Sequence, residues 1–462
     1  MASLSHWRRK LKSGLLFDRV VREILSLEHV EGQCCRAGHR WRDSFWSPTA
    51  TLLTFLLQVL SGEKTLRAAV ASLLTQLAAQ EVEPLPSADP SAYCQARRRL
   101  PLGVVGQLSD ELASRMQTQM GEDYRWHGHR VVKVDGTTVS MPDTPGLQKA
   151  FPQPESQKPG CGFPIARLVV LFSWATGAAI REVAGNLHES ENNLFRAHYA
   201  DWLEPGDVVL GDRYYCSYAD LARLREQGVF VVYRLHHRRP ADFRTGRKLG
   251  KDDRLVTWRR PEHWLPSFGI SREEFKRLPE TLTVRIIRTS QAPKGFRSRT
   301  VVAVTTLLDP VAYPAAEIRD LYRDRWTVEL NLRSLKTHLG MDILRGQSED
   351  VVRKEIAVHL LGYNLIRLLM WRAAREHERN LHRLSFTGTL HRVRQLAPSM
   401  VLAPDHGDGR MITALLAWIA SDIVPDRPNR VEPRRKKRRP KEYSLLRKPR
   451  RWYHLHGDKG AR

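Results

Sequence analysis

Across 462 residues the chain is poor in cysteine, has no long apolar run, shows no internal repeat and is short of acidic residues relative to basic ones. The five cysteines (Cys34, Cys35, Cys94, Cys161 and Cys216) are odd in number and scattered, which argues against a secreted disulfide framework. Cys34, Cys35 and His39 lie close together but match no usual zinc spacing. The most apolar stretches, Thr51–Leu60 and Ile356–Trp371, are too short or too interrupted by His359, Asn364 and Arg367 to span a bilayer. The opening S-H-W-R-R-K-L-K-S-G-L-L-F-D has too brief an apolar run for a signal peptide. These absences predict a soluble protein of a reducing compartment.

What is abundant is positive charge. Seventy-five Lys and Arg against fifty Asp and Glu leave a net charge of +25 and a pI near 10.2. Such an excess favours a polyanionic partner. The basic residues do not build an amphipathic helix with an aromatic or leucine face, so nucleic acid fits better than a membrane surface. Nothing resembles an RNA-recognition aromatic motif. From Arg427 to Arg462 there are fifteen basic and three acidic residues, a net +12, centred on R-R-K-K-R-R-P-K. This tail suits phosphate contacts; the plainer alternative is a solvated, disordered extension.

The length implies several domains. Residues 1–125 read as a helical region, suited either to DNA binding or to a structural cap. From Arg130 the pattern turns to β. R-V-V-K-V-D-G-T-T-V is β-branched with an Asp-Gly turn signal, and Ala166–Trp174 and Ala178–Val183 read as a hairpin. A helix, the short strand of P-G-D-V-V-L-G-D-R, a helix over Tyr218–Glu226 and a strand over Val229–Arg234 complete residues 126–235. That order predicts an α/β fold with a mixed sheet. Residues 236–310 read as a β-rich insertion containing Trp258 and Trp264. Residues 311–380 return to helix, with one helix over Ala315–Leu339 and another from Val351 to about Arg379. A C-terminal region, 381–462, carries the basic tail.

The chemistry concentrates in residues 322–336, Y-R-D-R-W-T-V-E-L-N-L-R-S-L-K. On a uniform α-helix, at about 100° per residue, Tyr322, Arg325, Glu329 and Lys336 would share one stripe about 60° wide. The stripe borders an apolar face built from Leu321, Val328, Leu332, Leu335 and Leu339. Taken alone it fits a solvated face with i,i+4 pairing as readily as a site. Asp135 follows V-V-K-V and Asp212 follows V-V-L-G, so each carboxylate sits within or at the end of an apolar strand. There a charge is costly unless it is paired or coordinated, and strand C-termini are where open α/β sheets place ligands. Either aspartate alone would also serve as a turn or cap residue. Asp143 and Asp207 read as solvated turn residues.

Together these residues resemble the DDE transposases of the insertion sequence four family. The match lies in Asp135 within D-G-T-T, Asp212 within G-D-R, and a Tyr-x2-Arg-x3-Glu-x6-Lys row carrying Glu329. The resemblance covers essentially the whole chain. It implies a ribonuclease H-like catalytic domain acting on double-stranded DNA, at the element's terminal inverted repeats and at a target. Asp135, Asp212 and Glu329 would hold two Mg²⁺, with Mn²⁺ able to substitute, while Tyr322, Arg325 and Lys336 would contact DNA phosphate. It further implies at least a homodimer on paired DNA ends and a bacterial, cytoplasmic, nucleoid-associated setting. Arg234, after F-V-V-Y, either faces the site from a sheet edge or lies at the surface. Trp258 and Trp264 are either core residues or platforms for a flipped base. Two other functions share these residues: a ribonuclease H-like nuclease that does not join strands, and a DNA-binding descendant with an inactive site.

Overall fold

The structure, a computed structural model, describes residues 19–79, 85–291, 299–402, 408–425 and 445–456. The first residues of the chain and the R-R-K-K-R-R-P-K block therefore lie outside the described residues. The chain forms two compact units. One comprises Met1–Tyr124, Ala175–Arg181 and Leu330–Pro425; the other comprises Arg125–Trp174, Glu182–Glu329 and Asp426–Arg462.

The described part of the first unit is helical. Ser47 caps the helix Pro48–Leu60 by accepting from the Ala50 N–H, and Pro48 occupies the first turn, where a missing N–H costs nothing. Being apolar on nearly every face, this helix is buried on nearly every face. The 28-residue helix Glu349–Glu376 holds the polar residues that interrupt its apolar run, and each has a partner. Asn364 bonds both backbone groups of Ala179 (2.8 Å each) and the Ser109 hydroxyl (3.1 Å). Tyr363 donates to the Gly177 carbonyl at 2.7 Å, and Arg367 to the Thr176 carbonyl. Burial drives the His359 imidazole down to about 3, so it is neutral between Lys64 and the Glu355 carbonyl.

The second unit is built on a mixed sheet. Its strands are β1 (Arg125–Trp126), β2 (His129–Ser140), β3 (Ile165–Ser173), β4 (Ala179–Asn186, of which Glu182–Asn186 belong to this unit), β5 (Val208–Gly211), β6 (Phe230–Arg234), β7 (Arg247–Gly250), β8 (Asp253–Arg259), β9 (Thr281–Gln291) and β10 (Arg299–Thr305). The order is β4-β3-β2-β5-β6-β10-β9-β8-β7, with β1 paired to β2. β2 runs antiparallel to β3 and parallel to β5, and β5 runs parallel to β6. This mixed α/β arrangement is consistent with a ribonuclease H-like fold. All four residues of β5 are buried, as expected for a short parallel strand covered on both faces. Residues 247–305 extend the same sheet by antiparallel pairing of β10 with β6.

Three sequence expectations need correction. The Asp135-Gly136 pair makes no turn: it lies mid-strand, opposite Val170 and Val169 of β3. The β-branched residues on both sides keep pairing through Ser140, and that ladder outweighs the local turn signal. Asp207 is not solvated. It is 3% exposed and ion-paired with Arg130, whose Nε donates to its Oδ1 at 2.8 Å. Finally, Ala315–Leu339 is not one uniform helix. It is an α-helix over Ala315–Asp324, a second over Thr327–Arg333 and a π-helical segment over Ser334–His338. At the break, the Thr327 hydroxyl takes the Asp324 carbonyl (2.7 Å), and Glu329 bonds three residues back to Trp326 (3.1 Å). The constant 100° step between Tyr322 and Lys336 is therefore lost.

The approach to that broken helix is anchored by a buried ion pair. Arg285 of β9 has no exposed side-chain surface and is bonded to Asp253 of β8, Nε to Oδ1 at 2.8 Å and Nη2 to Oδ2 at 2.5 Å. Its remaining nitrogen donates to the carbonyls of Asp309 (3.3 Å) and Tyr313 (2.7 Å), just ahead of Ala315. Asp253→Ala would strand a buried guanidinium and should cost about 3–5 kcal/mol, whereas the apolar pair Asp253→Leu with Arg285→Met should cost clearly less. Denaturant midpoints of the two variants test this; equal losses would show that the pair's charges are not what matters.

Candidate active site

Two parallel strands position the aspartates. In the β2–β5 register, Lys133 faces Leu210. Two residues further along the chain stand Asp135, within β2, and Asp212, just past the end of β5. Asp135 is half-buried and accepts from the Gly136 N–H at 2.9 Å. Asp212, just past β5, caps the 3₁₀ turn Arg213–Tyr215 by accepting from the Tyr214 N–H at 2.6 Å. Burial raises the Asp135 carboxyl to about 7. The Gly136 N–H and the Arg325 guanidinium oppose the shift, and the charges of Asp212 and Glu191 add to it.

The helical row divides around Arg325. Its side chain is 15% exposed, and its Nη2 donates to Glu329 Oε1 at 3.1 Å. Glu329 is more open, with 40% of its side chain exposed. Tyr322 is 4% exposed, within an apolar cluster that includes Ile318 and Leu321. Burial raises the Tyr322 hydroxyl to about 12, opposed by Arg325 and then by Arg234 at the end of β6. Tyr322, Arg325, Asp135 and Asp212 thus share one electrostatic neighbourhood, with Arg234 beside it. Lys336 belongs to the first unit, where it is half-buried in the π-helical segment. Trp258 is 8% exposed beneath Arg239 (4.0 Å), and the Trp264 indole donates to the Ile270 carbonyl at 2.8 Å.

Reading the sequence did not single out two further residues. Glu191 opens the helix Glu191–Arg196, capped by Ser190, and its carboxylate packs on Gly136, on the face of β2 opposite to the Asp135 side chain. Burial raises its pKa, Arg167 opposes, and Asp212 adds. Lys133 lies two residues before Asp135 on the same face of β2. It is 1% exposed and donates to the Thr327 hydroxyl at 2.6 Å, so it ties β2 to the helix break. A lysine inside V-V-K-V was the visible signal for the second; nothing in the sequence marked the first.

Among the described residues, no three His, Cys, Asp or Glu side chains converge closely enough to form a metal-binding group. The donor chemistry nevertheless suits a divalent cation. The carboxylates of Asp135 and Asp212 share one electrostatic neighbourhood, and Mg²⁺ characteristically takes one or two carboxylates and keeps several waters. No described helix is long and apolar enough to cross a membrane.

Comparison with known proteins places these residues in a wider context. Residues 126–365 match the model of the transposase DDE domain family. Over 366 residues the chain is 26% identical to "Transposase InsG for insertion sequence element IS4" of Escherichia coli, covering 78% of each protein. It is also 26% identical over 192 residues to "Putative transposase y4zB" of Sinorhizobium fredii, covering 40% of this chain and 48% of that one.

The shifted carboxyl predicts a specific pH dependence. Asp135 has a folded pKa near 7, against about 3.9 in an unfolded chain. The folded state therefore holds this proton more tightly, and the associated stability is complete below the unfolded value and lost as pH rises through 7. Asp135→Asn should match wild type near pH 4 and exceed it by up to about 4 kcal/mol above pH 7. Denaturation across pH measures this, and a gap independent of pH would contradict it.

Proposed function

Because this chain belongs to the DDE transposases of the insertion sequence four family, we propose that it binds the terminal inverted repeats of a mobile element. It then cleaves the DNA there and transfers the freed strand end to a target. The observation that supports this reading is that Asp135, within β2, and Asp212, just past the parallel strand β5, share one electrostatic neighbourhood, with Arg325 bridging from it to Glu329.

In this reading Asp135, Asp212 and Glu329 hold two divalent ions, Mg²⁺ by preference with Mn²⁺ as a substitute. When bound, such ions supply Lewis-acid charge to the attacking and leaving oxygens of an in-line displacement. The aspartates need little rearrangement, because strand pairing already fixes them. Glu329 must leave Arg325 to serve the ions, and its exposure leaves it room to turn. Arg325, once released, has a charged fork suited to the scissile phosphate. Tyr322, bonded to it and packed in the core, sets where that fork points. Arg234 adds positive charge on the same side, and Lys336 contacts the DNA backbone further along. Pairing two element ends requires at least a homodimer in the DNA complex, acting on the bacterial nucleoid.

The test is purified full-length protein with Mg²⁺ and linear DNA carrying the repeats that flank its gene. Cleavage at the repeat end with joined products is expected. Nicking without joining would favour the nuclease reading, and binding alone the inactive descendant. Glu329→Gln should abolish cleavage with DNA binding intact, and Arg325→Ala should lower the cleavage rate by about 10²-fold or more. Cleavage by the Glu329→Gln variant would remove that residue from the metal site.

A further inference from the structure

Side chains two apart on a strand share a face, so Val131, Lys133 and Asp135 of β2 point the same way. Val131 shares an apolar cluster with Ile318, Leu321 and Tyr322 of the helix Ala315–Asp324. Trp174 packs against that cluster, and its N–H extends the β3 ladder to the Val131 carbonyl at 3.0 Å. Its indole donates to the Asp324 carboxylate at 3.2 Å. Lys133, next along the same face, donates to the Thr327 hydroxyl at 2.6 Å. Two residues beyond this contact stand Asp135 on the strand and Glu329 on the helix.

The junction between the two helices does not hold itself. In a continuous α-helix the Asp324 carbonyl would accept from the Val328 N–H. Here that N–H goes to the Arg325 carbonyl (3.0 Å), and the Thr327 hydroxyl takes the Asp324 carbonyl instead, at 2.7 Å. A hydroxyl has one proton to give, and an ammonium can only donate. With Lys133 donating to its oxygen, the Thr327 proton is committed to Asp324 and the hydroxyl is kept from rotating away. The plain alternative is that Lys133 is a pin for stability. Yet a group that is 1% exposed is a poor choice for that purpose if it is an ammonium, because an apolar side chain would fill the space without the desolvation cost. What the ammonium adds is direction.

Resting on the reading of Asp135 and Glu329 as metal-holding residues and of Arg325 as a phosphate contact, we propose that Lys133 and Thr327 are positioning residues for the cleavage step. They hold the break after Asp324 so that Arg325 and Glu329 approach from one direction, on the face of β2 that carries Asp135. Neither residue reacts; both act through Arg325 and Glu329.

The experiment compares Lys133→Met, Thr327→Val and Thr327→Ser in the full-length protein. Single-turnover cleavage of linear DNA carrying the repeats that flank the gene is followed with Mg²⁺ over a range of DNA concentrations. Amide hydrogen exchange of residues 325–329 is followed without metal or DNA. Lys133→Met and Thr327→Val should lower the rate at saturating DNA about 10-fold or more, leave the half-saturating concentration within about twofold, and speed exchange at the junction. Thr327→Ser keeps the hydroxyl and should cleave within about threefold of wild type. Cleavage by Lys133→Met at the wild-type rate, or Thr327→Ser as slow as Thr327→Val, overturns the proposal, and so does a loss confined to half-saturation. If wild type itself does not cleave, the proposed function fails, while exchange still tests the junction: faster exchange in the variants supports the contact's role, and unchanged exchange overturns it. Should Lys133→Met not fold, the two Thr327 variants decide the matter alone.

Discussion

The closeness of Asp135, within β2, to Asp212, just past β5, is the constraint on which the second unit turns. Parallel pairing makes Asp135 and Asp212 neighbours whatever their charges prefer, and burial then makes those charges expensive. A guanidinium opposes that cost at close quarters. Arg325, largely buried itself, opposes the Asp135 shift and pairs with Glu329.

Arg325 is aimed by the helix break. In a uniform helix the residues after Asp324 would continue a single cylinder. Here the Thr327 hydroxyl holds the Asp324 carbonyl, Lys133 holds that hydroxyl, and the Trp174 indole donates to the Asp324 carboxylate at 3.2 Å. These bonds connect the strand that carries Asp135 with the junction that carries Arg325 and Glu329. A buried ammonium that anchors a backbone junction is costly to desolvate, yet it fixes geometry in a way an apolar residue cannot. Arg285 repeats this logic ahead of the same helix, where it binds the Tyr313 carbonyl. The helical row is thus anchored ahead of its start and at its break by buried cations.

Much of this was open to reading in advance. Alternation and β-branching located the strands around Asp135 and Asp212, and the helical character of the chain up to Met120 followed from apolar composition. The Tyr-Arg-Glu-Lys spacing identified the family, which the match over residues 126–365 shows. What misled were features whose meaning depends on partners. Asp135-Gly136 carries a turn signature, but β3 supplies a ladder that overrides it. Asp207 follows Pro205 and Gly206, yet Arg130, distant in sequence, draws it inside. His359, Asn364 and Arg367 looked like interruptions of an apolar run and proved to be satisfied core residues.

The sequence by itself determined the family, the α/β class and the residue types able to hold a divalent ion, because these depend on local pattern and on spacing along one chain. Tertiary structure alone decided which carboxylates meet. The β2–β5 register set Asp135 beside Asp212, and strand alternation put Glu191, packed on Gly136, on the other face of β2. Likewise, a threonine–lysine contact, and not the helical wheel, set the angle between Arg325 and the residues after it. Electrostatic neighbours fall off with distance in space and are blind to distance in sequence, so no spacing rule could have revealed them.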